Sequence, residues 1–145
     1  MIRGLDTTAL LEFEFSQHPN HESIRHLIEN ILNKGDKLGI APQVISEFIH
    51  VASDAKRFEK PLSVRAALKR AEIWWHASEV VQVFPKIETV RLQLSWMSKY
   101  NLGRKRILDT QLAATLYSND IRSVITSNAR DFRLFEAFEE ILSPQ

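Results

Sequence analysis

The sequence predicts an α/β fold, a three-layer α/β/α sandwich around a mainly parallel sheet. Short apolar runs alternate with longer segments of helical periodicity, which is the pattern expected when crossover helices join parallel strands. The chain has 145 residues, of which 44% are hydrophobic, and this size and balance suit one globular core. Because no linker-like stretch, low-complexity tract or internal repeat interrupts the sequence, we expect a single domain over residues 1–145.

The elements of the first half are predicted from strand-like runs and helix boundary signals. We assign a first strand to residues 2–5 and helices to residues 7–15 and 22–33, the second of which ends at Gly35. Residues 37–41 form a second strand. Pro42 then begins a third helix that extends to about residue 54, since proline suits the first helical position.

The second half continues the same alternation of helix and strand. Pro61 begins a long helix through residue 78, residues 80–84 form a buried third strand, and another helix covers residues 87–100. A helix from Asp109 to Ser118, a strand over 123–126, an irregular segment over 127–132 and a short last strand over 140–142 complete the prediction.

Acidic and amide side chains stand where the strands of this fold are predicted to end. Asp6 ends the first strand, Asn128 lies just past the strand over 123–126, and Asp109 begins a helix. Glu47 lies just beyond the apolar arc of the third helix, so it reaches the rim of the sheet. Because ligands bind at the carboxyl ends of parallel strands, we expect these groups to gather at one edge.

Each of these residues also has a purely structural interpretation. Asp6 and Asp109 each precede threonine at a predicted helix start, where a carboxylate commonly caps the free N–H groups. Glu47 alone is typical of a solvated helix residue, and Asp131 suits a turn. The prediction of a site therefore depends on the group. Such a group of oxygen ligands suits Mg²⁺ or Mn²⁺, which activate water in phosphodiester hydrolysis.

Short motifs in a fixed order resemble those of the PIN-domain ribonucleases, most closely the VapC-like toxin branch of toxin–antitoxin pairs. LDTTALL resembles the first motif, in which a hydrophobic strand is followed by Asp and Thr. VISEFIHV resembles the second motif, whose Glu lies on a helix, and ILDTQLAATL resembles the third. VITSNARDF and ILSP resemble the last motif and the closing strand. The resemblance covers essentially the whole chain, although each motif alone is short.

The resemblance implies which side chains bind the metal. Asp6, Glu47 and Asp109 are implied to be metal-binding, catalytic carboxylates, and a metal-held water is implied to be the nucleophile. Asn128 occupies a position where many members of the family have Asp. We therefore expect Asn128 to bind the metal weakly or through water, and Asp131 to supply the remaining charge.

The expected contacts with the substrate lie next to these carboxylates. Thr126 and Ser127 are expected to hold a water or a phosphate. Arg104, Lys105 and Arg106 stand just before Asp109 in sequence and are expected to contact RNA phosphates. The alternative for this run of positive charge is a solvated loop.

Composition excludes several other classes of function. The chain has no cysteine, which excludes disulfides, thiolate metal sites and a cysteine nucleophile. Its four glycines form neither a P-loop nor a dinucleotide-binding motif, and its histidines lack zinc-protease spacing. No apolar stretch approaches the roughly 20 residues of a membrane span. We expect a soluble, cytoplasmic protein without a membrane partner.

The leading hypothesis is a Mg²⁺-dependent endoribonuclease that acts as a toxin, with RNA as substrate and a protein antitoxin as partner. The alternatives are a housekeeping PIN nuclease in RNA processing and a non-catalytic domain that binds RNA or protein. We also expect a homodimer, because Trp74, Trp75 and Trp96 lie on predicted helices. Burial of these aromatic side chains in the core is the competing explanation.

Overall fold

Five strands form the central sheet of the computed structural model, which describes residues 1–144. They are β1 (Ile2–Leu5), β2 (Lys37–Ile40), β3 (Val80–Gln82), β4 (Ser123–Ile125) and β5 (Glu140–Leu142). Their order across the sheet is β3-β2-β1-β4-β5, and each neighbouring pair is parallel. The predicted parallel sheet is confirmed.

The helices pack in two groups against this sheet. They are α1 (Thr7–Glu14), α2 (His21–Asn33), α3 (Pro42–Ala52), α4 (Val64–His76), α5 (Ile87–Lys99), α6 (Ile107–Ser118) and α7 (Ala129–Arg133), with a 3₁₀ turn at Arg104–Arg106. Helix α1 contacts α2 and α3, and α3 contacts α4, whereas α5 and α7 contact α6. This arrangement confirms the α/β/α sandwich. None of the helices in residues 1–144 is long and apolar enough to cross a membrane.

Several element boundaries differ from the prediction. Strand β3 ends at Gln82 instead of residue 84, and it is only partly buried because it lies at the edge of the sheet. Helix α4 begins at Val64 instead of Pro61, because the Ser63 hydroxyl accepts a hydrogen bond from the Ala66 N–H (3.1 Å) and caps the helix. Helix α6 begins at Ile107, so Asp109 lies within its first turn instead of at its start. The segment predicted to be irregular contains α7.

Buried strand residues and a glycine on β1 allow the helices to pack closely against the sheet. Strand residues Leu5, Ile40 and Val124 are fully buried. Gly4 allows α6 to approach β1, because a Cβ atom at this position would lie 2.5 Å from a methyl carbon of Leu116. Trp96 is 8% exposed and belongs to the core, which agrees with the competing explanation given for this side chain.

The strand order creates a crevice between β1 and β4. The chain moves from β1 outward to β2 and β3, and then returns across the sheet to β4 and β5 on the other side. In an open parallel sheet, the carboxyl edge at such a switch in direction is where ligands bind. Asp6 directly follows β1 and Thr126 directly follows β4, so the topology places both at this crevice.

Candidate active site

Asp6 lies at the centre of the crevice and is 5% exposed. One carboxylate oxygen accepts the Thr8 backbone N–H (2.8 Å), which caps α1 as the structural interpretation predicts. The other oxygen accepts the Thr126 hydroxyl (2.5 Å). Burial raises the pKa of Asp6, and the negative charge of Glu47 adds to this effect, while the two hydrogen bonds oppose it. Asp6 therefore caps a helix and faces a second carboxylate.

Glu47 and Asp109 approach the crevice from two helices. Glu47 is half-buried on α3, and its carboxylate accepts a hydrogen bond from Gln43 (3.1 Å). Burial raises the pKa of Glu47, and the charge of Asp109 raises it further. Burial, followed by the charges of Asp6 and Asp131, raises the pKa of Asp109 to about 6. Each of these three carboxylates therefore lies within electrostatic range of another one.

Asp131 and Arg106 lie beside Asp109 and complete the charged group. One guanidinium nitrogen of Arg106 lies 3.6 Å from a carboxylate oxygen of Asp131, and another lies 3.9 Å from one of Asp109. Arg106 also donates to the backbone carbonyl of Asp131 (2.8 Å). Arg106 is therefore not a free cation of a solvated loop, whereas Arg104 and Lys105 on the same turn are exposed.

The segment after β4 is held in place by backbone and side-chain hydrogen bonds. The Thr126 N–H donates to the Leu142 carbonyl (2.9 Å), and the Asn128 N–H donates to the Thr126 side-chain oxygen (2.9 Å). Asn128 stands exposed at the beginning of α7. Within the described residues, its side chain makes no capping hydrogen bond to α7.

One buried carboxylate at this site was missed by the sequence reasoning. Glu12 on α1 is 5% exposed, and the Ser127 hydroxyl oxygen lies 2.6 and 2.5 Å from its two carboxylate oxygens, which share the single hydroxyl proton. Asn20 donates to the same carboxylate (3.2 Å). The available signal was an acidic residue between Leu11 and Phe13 in an apolar helix, which indicates a polar partner inside the fold.

The acidic side chains have the chemistry of a divalent-cation site, but their spacing does not yet form a set of metal ligands. In residues 1–144, no three acidic or histidine side chains already stand close enough to form a metal ligand set, so the ligands would have to converge further. The oxygen donors are nevertheless those that Mg²⁺ and Mn²⁺ prefer. Because the charge of a neighbouring carboxylate raises the pKa of each of Asp6, Glu47 and Asp109, a cation among them would relieve unfavourable electrostatic energy.

Comparison with known proteins identifies the family of this chain. The sequence profile of the PIN domain matches residues 5–137. The chain belongs to the PIN domain family. This range includes the four acidic residues and Asn128, and it confirms the resemblance predicted from the motifs.

Individual relatives of this PIN domain come from the VapC group. It is 24% identical over 135 residues to Ribonuclease VapC37 of Mycobacterium tuberculosis, an alignment that covers 93% of this chain and 92% of the relative. The fold resembles VapBC2 from Rickettsia felis bound to a DNA fragment from its promoter, with a TM-score of 0.68, 14% identity and complete coverage of both chains. It also resembles the Mycobacterium tuberculosis sarcin–ricin loop cleaving toxin VapC20, with a TM-score of 0.66, 14% identity and coverage of 86% and 87%.

Proposed function

We propose that this PIN domain is a Mg²⁺- or Mn²⁺-dependent endoribonuclease and the toxin of a toxin–antitoxin pair. The observation that carries the proposal is the set of electrostatically coupled carboxylates at the crevice between β1 and β4. The ribonuclease activity named for VapC37 and the RNA-cleaving toxin activity named for VapC20 support the choice of RNA as substrate and of a toxin role.

Asp6, Glu47 and Asp109 are proposed to hold the cation, and Asp131 and Asn128 to complete its surroundings. When bound, the cation supplies an activated water and stabilises the oxyanion that leaves the RNA backbone. The Thr8 N–H and the Thr126 hydroxyl occupy one lone pair on each oxygen of Asp6. They fix the orientation of the carboxylate and leave the remaining lone pairs for a ligand.

The raised pKa of Asp109 sets a lower pH limit for the proposed activity. Because this pKa is about 6, Asp109 is largely ionised at pH 7 and gains a proton in more acidic solution. Metal ligands must be deprotonated, so binding of Mg²⁺ is expected to weaken as the pH falls below 6.

The residues expected from the sequence to contact RNA differ in exposure and in the partners they already have. Arg104 and Lys105 are exposed on the turn that precedes α6, and we propose that they contact phosphates. The hydroxyls of Thr126 and Ser127 already donate to carboxylates of the protein. We therefore assign both hydroxyls to support of the site instead of the substrate contacts expected from the sequence.

The proposed partners are a protein antitoxin and a second copy of the chain, and cytoplasmic localisation stays a prediction. The VapBC2 structure supports a two-component system of this kind. A housekeeping PIN nuclease would need no antitoxin, and a non-catalytic domain would bind RNA without cutting it. A small gene that overlaps or directly precedes this one, and whose product neutralises the protein, distinguishes the toxin from the housekeeping nuclease.

The proposal is tested by incubating purified protein with single-stranded and structured RNA in Mg²⁺, in Mn²⁺ or in excess EDTA. We expect cleavage with either metal and none in EDTA. Asp6→Asn should lower the rate by about 100-fold or more, since loss of even outer partners of a metal site costs 10–100-fold. Asp120, whose side chain is 90% exposed, precedes β4 at the opposite edge of the sheet, so Asp120→Asn is the control and should cut normally. Equal cleavage in EDTA would contradict the proposal.

A further inference from the structure

Glu12 is a buried carboxylate that the proposed chemistry does not use. Its side chain is 7% exposed, and it accepts hydrogen bonds from the Ser127 hydroxyl and the Asn20 amide. An ionised carboxylate is expensive to bury and is retained only with such partners. Its principal partner, Ser127, lies 115 positions away in sequence, so Glu12 joins helix α1 to the segment that follows β4.

Ser127 stands between Thr126, which contacts Asp6, and Asn128, which is proposed to complete the surroundings of the cation. On its N-terminal side, the Thr126 hydroxyl donates to Asp6. On its C-terminal side, Asn128 is exposed and directly precedes α7. A displacement of Ser127 would therefore move both the residue that orients Asp6 and a candidate metal ligand.

Helix α1 holds this segment at two points on one face. The Thr8 side-chain oxygen accepts the Ser127 backbone N–H (3.3 Å), and Glu12, one helical turn later, accepts the Ser127 hydroxyl. Residues four apart share a face of an α-helix. Thr8 and Glu12 therefore hold the backbone and the side chain of Ser127 from the same face of α1. Thr8 also donates its own N–H to Asp6, which ties Asp6 and Ser127 to the same turn of α1.

We infer that Glu12 is a positioning residue of the active site. It holds Ser127, and through Ser127 it sets the positions of Asn128 and of the Thr126 hydroxyl that orients Asp6. This inference rests on the proposed function, because it assigns Glu12 to support of the metal-binding edge. Glu12 does not touch the cation or the RNA.

The competing explanation is that the contact of Glu12 with Ser127 only stabilises the fold. The chain provides a matched control for this explanation. Glu14 lies on the same helix and its side chain is also 7% exposed. Its two carboxylate oxygens accept hydrogen bonds from Nε and Nη2 of Arg70 on α4 (2.5 and 2.9 Å), and not from the segment after β4. Loss of either carboxylate should destabilise the protein, but only loss of Glu12 should alter the metal site.

The experiment measures binding of Mg²⁺ by calorimetry without RNA, and then the steady-state kinetics of RNA cleavage. Glu12→Ala is expected to raise the Mg²⁺ Kd about tenfold and to lower kcat, with little change in KM for RNA, as expected for loss of an outer partner of a metal site. Glu14→Ala is expected to lower the melting temperature and to leave the Mg²⁺ Kd of the folded protein unchanged.

Substitutions of Ser127 test whether Glu12 acts through this residue. Ser127→Ala should reproduce the metal and kinetic defects of Glu12→Ala, while Ser127→Thr keeps the hydroxyl and should restore them. The double variant Glu12→Ala/Ser127→Ala should be no worse than either single variant, because coupled residues are not additive. If Glu12→Ala does not fold, the comparison of Ser127→Ala with Ser127→Thr decides the question.

Two results would overturn the inference. A folded Glu12→Ala variant with wild-type Mg²⁺ affinity and kcat would show that Glu12 only stabilises the fold. Equal Mg²⁺ affinities and kcat values for Ser127→Ala and Ser127→Thr would do the same. The proposed function fails differently, because wild-type protein would then neither bind Mg²⁺ nor cleave RNA, and the inference would fall with it.

Discussion

At the scale of single residues, ionisation of Asp109 is unfavourable in the folded protein. Its pKa is raised from 3.8 to about 6 by burial and by the charges of Asp6 and Asp131, against the opposing effect of Arg106. Between these two values the folded state binds more protons than the unfolded state. The free energy of unfolding of the metal-free protein therefore falls as the pH rises from about 4 to about 6, and then levels off.

Asp109→Asn should remove this part of the pH dependence. We expect the metal-free variant to be more stable than wild type at pH 7 by about 1 kcal/mol, after allowance for solvent screening of a partly exposed carboxylate. The difference should vanish near pH 4. Melting temperatures in EDTA at several pH values test this expectation, and parallel curves for the two proteins would contradict it. Added Mg²⁺ should stabilise the wild type more than the variant.

At the scale of elements, the contact of α6 with β1 positions Asp109 relative to Asp6. Ala113 and Ala114 are fully buried on α6, and their small side chains allow the helix to lie close to the sheet. Gly4 on β1 makes the same allowance, because a Cβ atom there would lie 2.5, 2.8 and 3.2 Å from three carbons of Leu116. Since Leu116 is itself fully buried, it has little room to move away.

Gly4→Ala should therefore lower the free energy of unfolding by about 1–3 kcal/mol, the usual cost of overpacking a core. Leu116→Val should recover part of this loss in the double variant, because the two substitutions share one contact. Gly103→Ala is the matched control, since its φ is −89° and no atom lies within 4 Å of the added Cβ. Urea unfolding measures all three effects. A Gly4→Ala variant as stable as Gly103→Ala would contradict the close contact.

At the scale of the whole molecule, the exposed apolar surface differs from the one that the aromatic residues suggested. Trp96 stacks on Phe135 with ring centroids 4.8 Å apart and lies in the core. Helix α5 instead exposes Ile87, Val90 and Leu94, which are 99%, 58% and 61% exposed. Their spacing places them along one face of the helix, and such a stripe is typical of an interaction surface.

We expect this stripe to lie in the interface of a homodimer. Light scattering should give a mass of twice the 16.8 kDa of the chain, and the double variant Ile87→Glu/Leu94→Glu should return it to the mass of the monomer. Ile73→Glu on α4 is the control, because Ile73 is similarly exposed (55%) and lies outside the stripe. A wild-type mass that stays at 16.8 kDa over a wide concentration range would reject the dimer.

The sequence by itself determined the alternation of the five strands with helices α1 to α6, the parallel sheet and the family. These features depend on local signals, such as Pro42 at the beginning of α3 and the apolar periodicity of the helices. The positions of Asp6 after β1 and Asn128 after β4 follow from the same signals. General topology then places strand ends at one edge of a parallel sheet, so the candidate site could be located without a structure.

Only the tertiary structure decided which side chains meet inside the fold. The contact of Glu12 with Ser127 spans 115 positions, and that of Arg106 with Asp131 spans 25. Neither contact leaves a periodic pattern in the sequence, because each partner is brought into reach by the packing of different elements. The same reason explains why Trp96 was not distinguished from a surface aromatic residue, since its burial depends on Phe135 and Tyr117 from other parts of the chain.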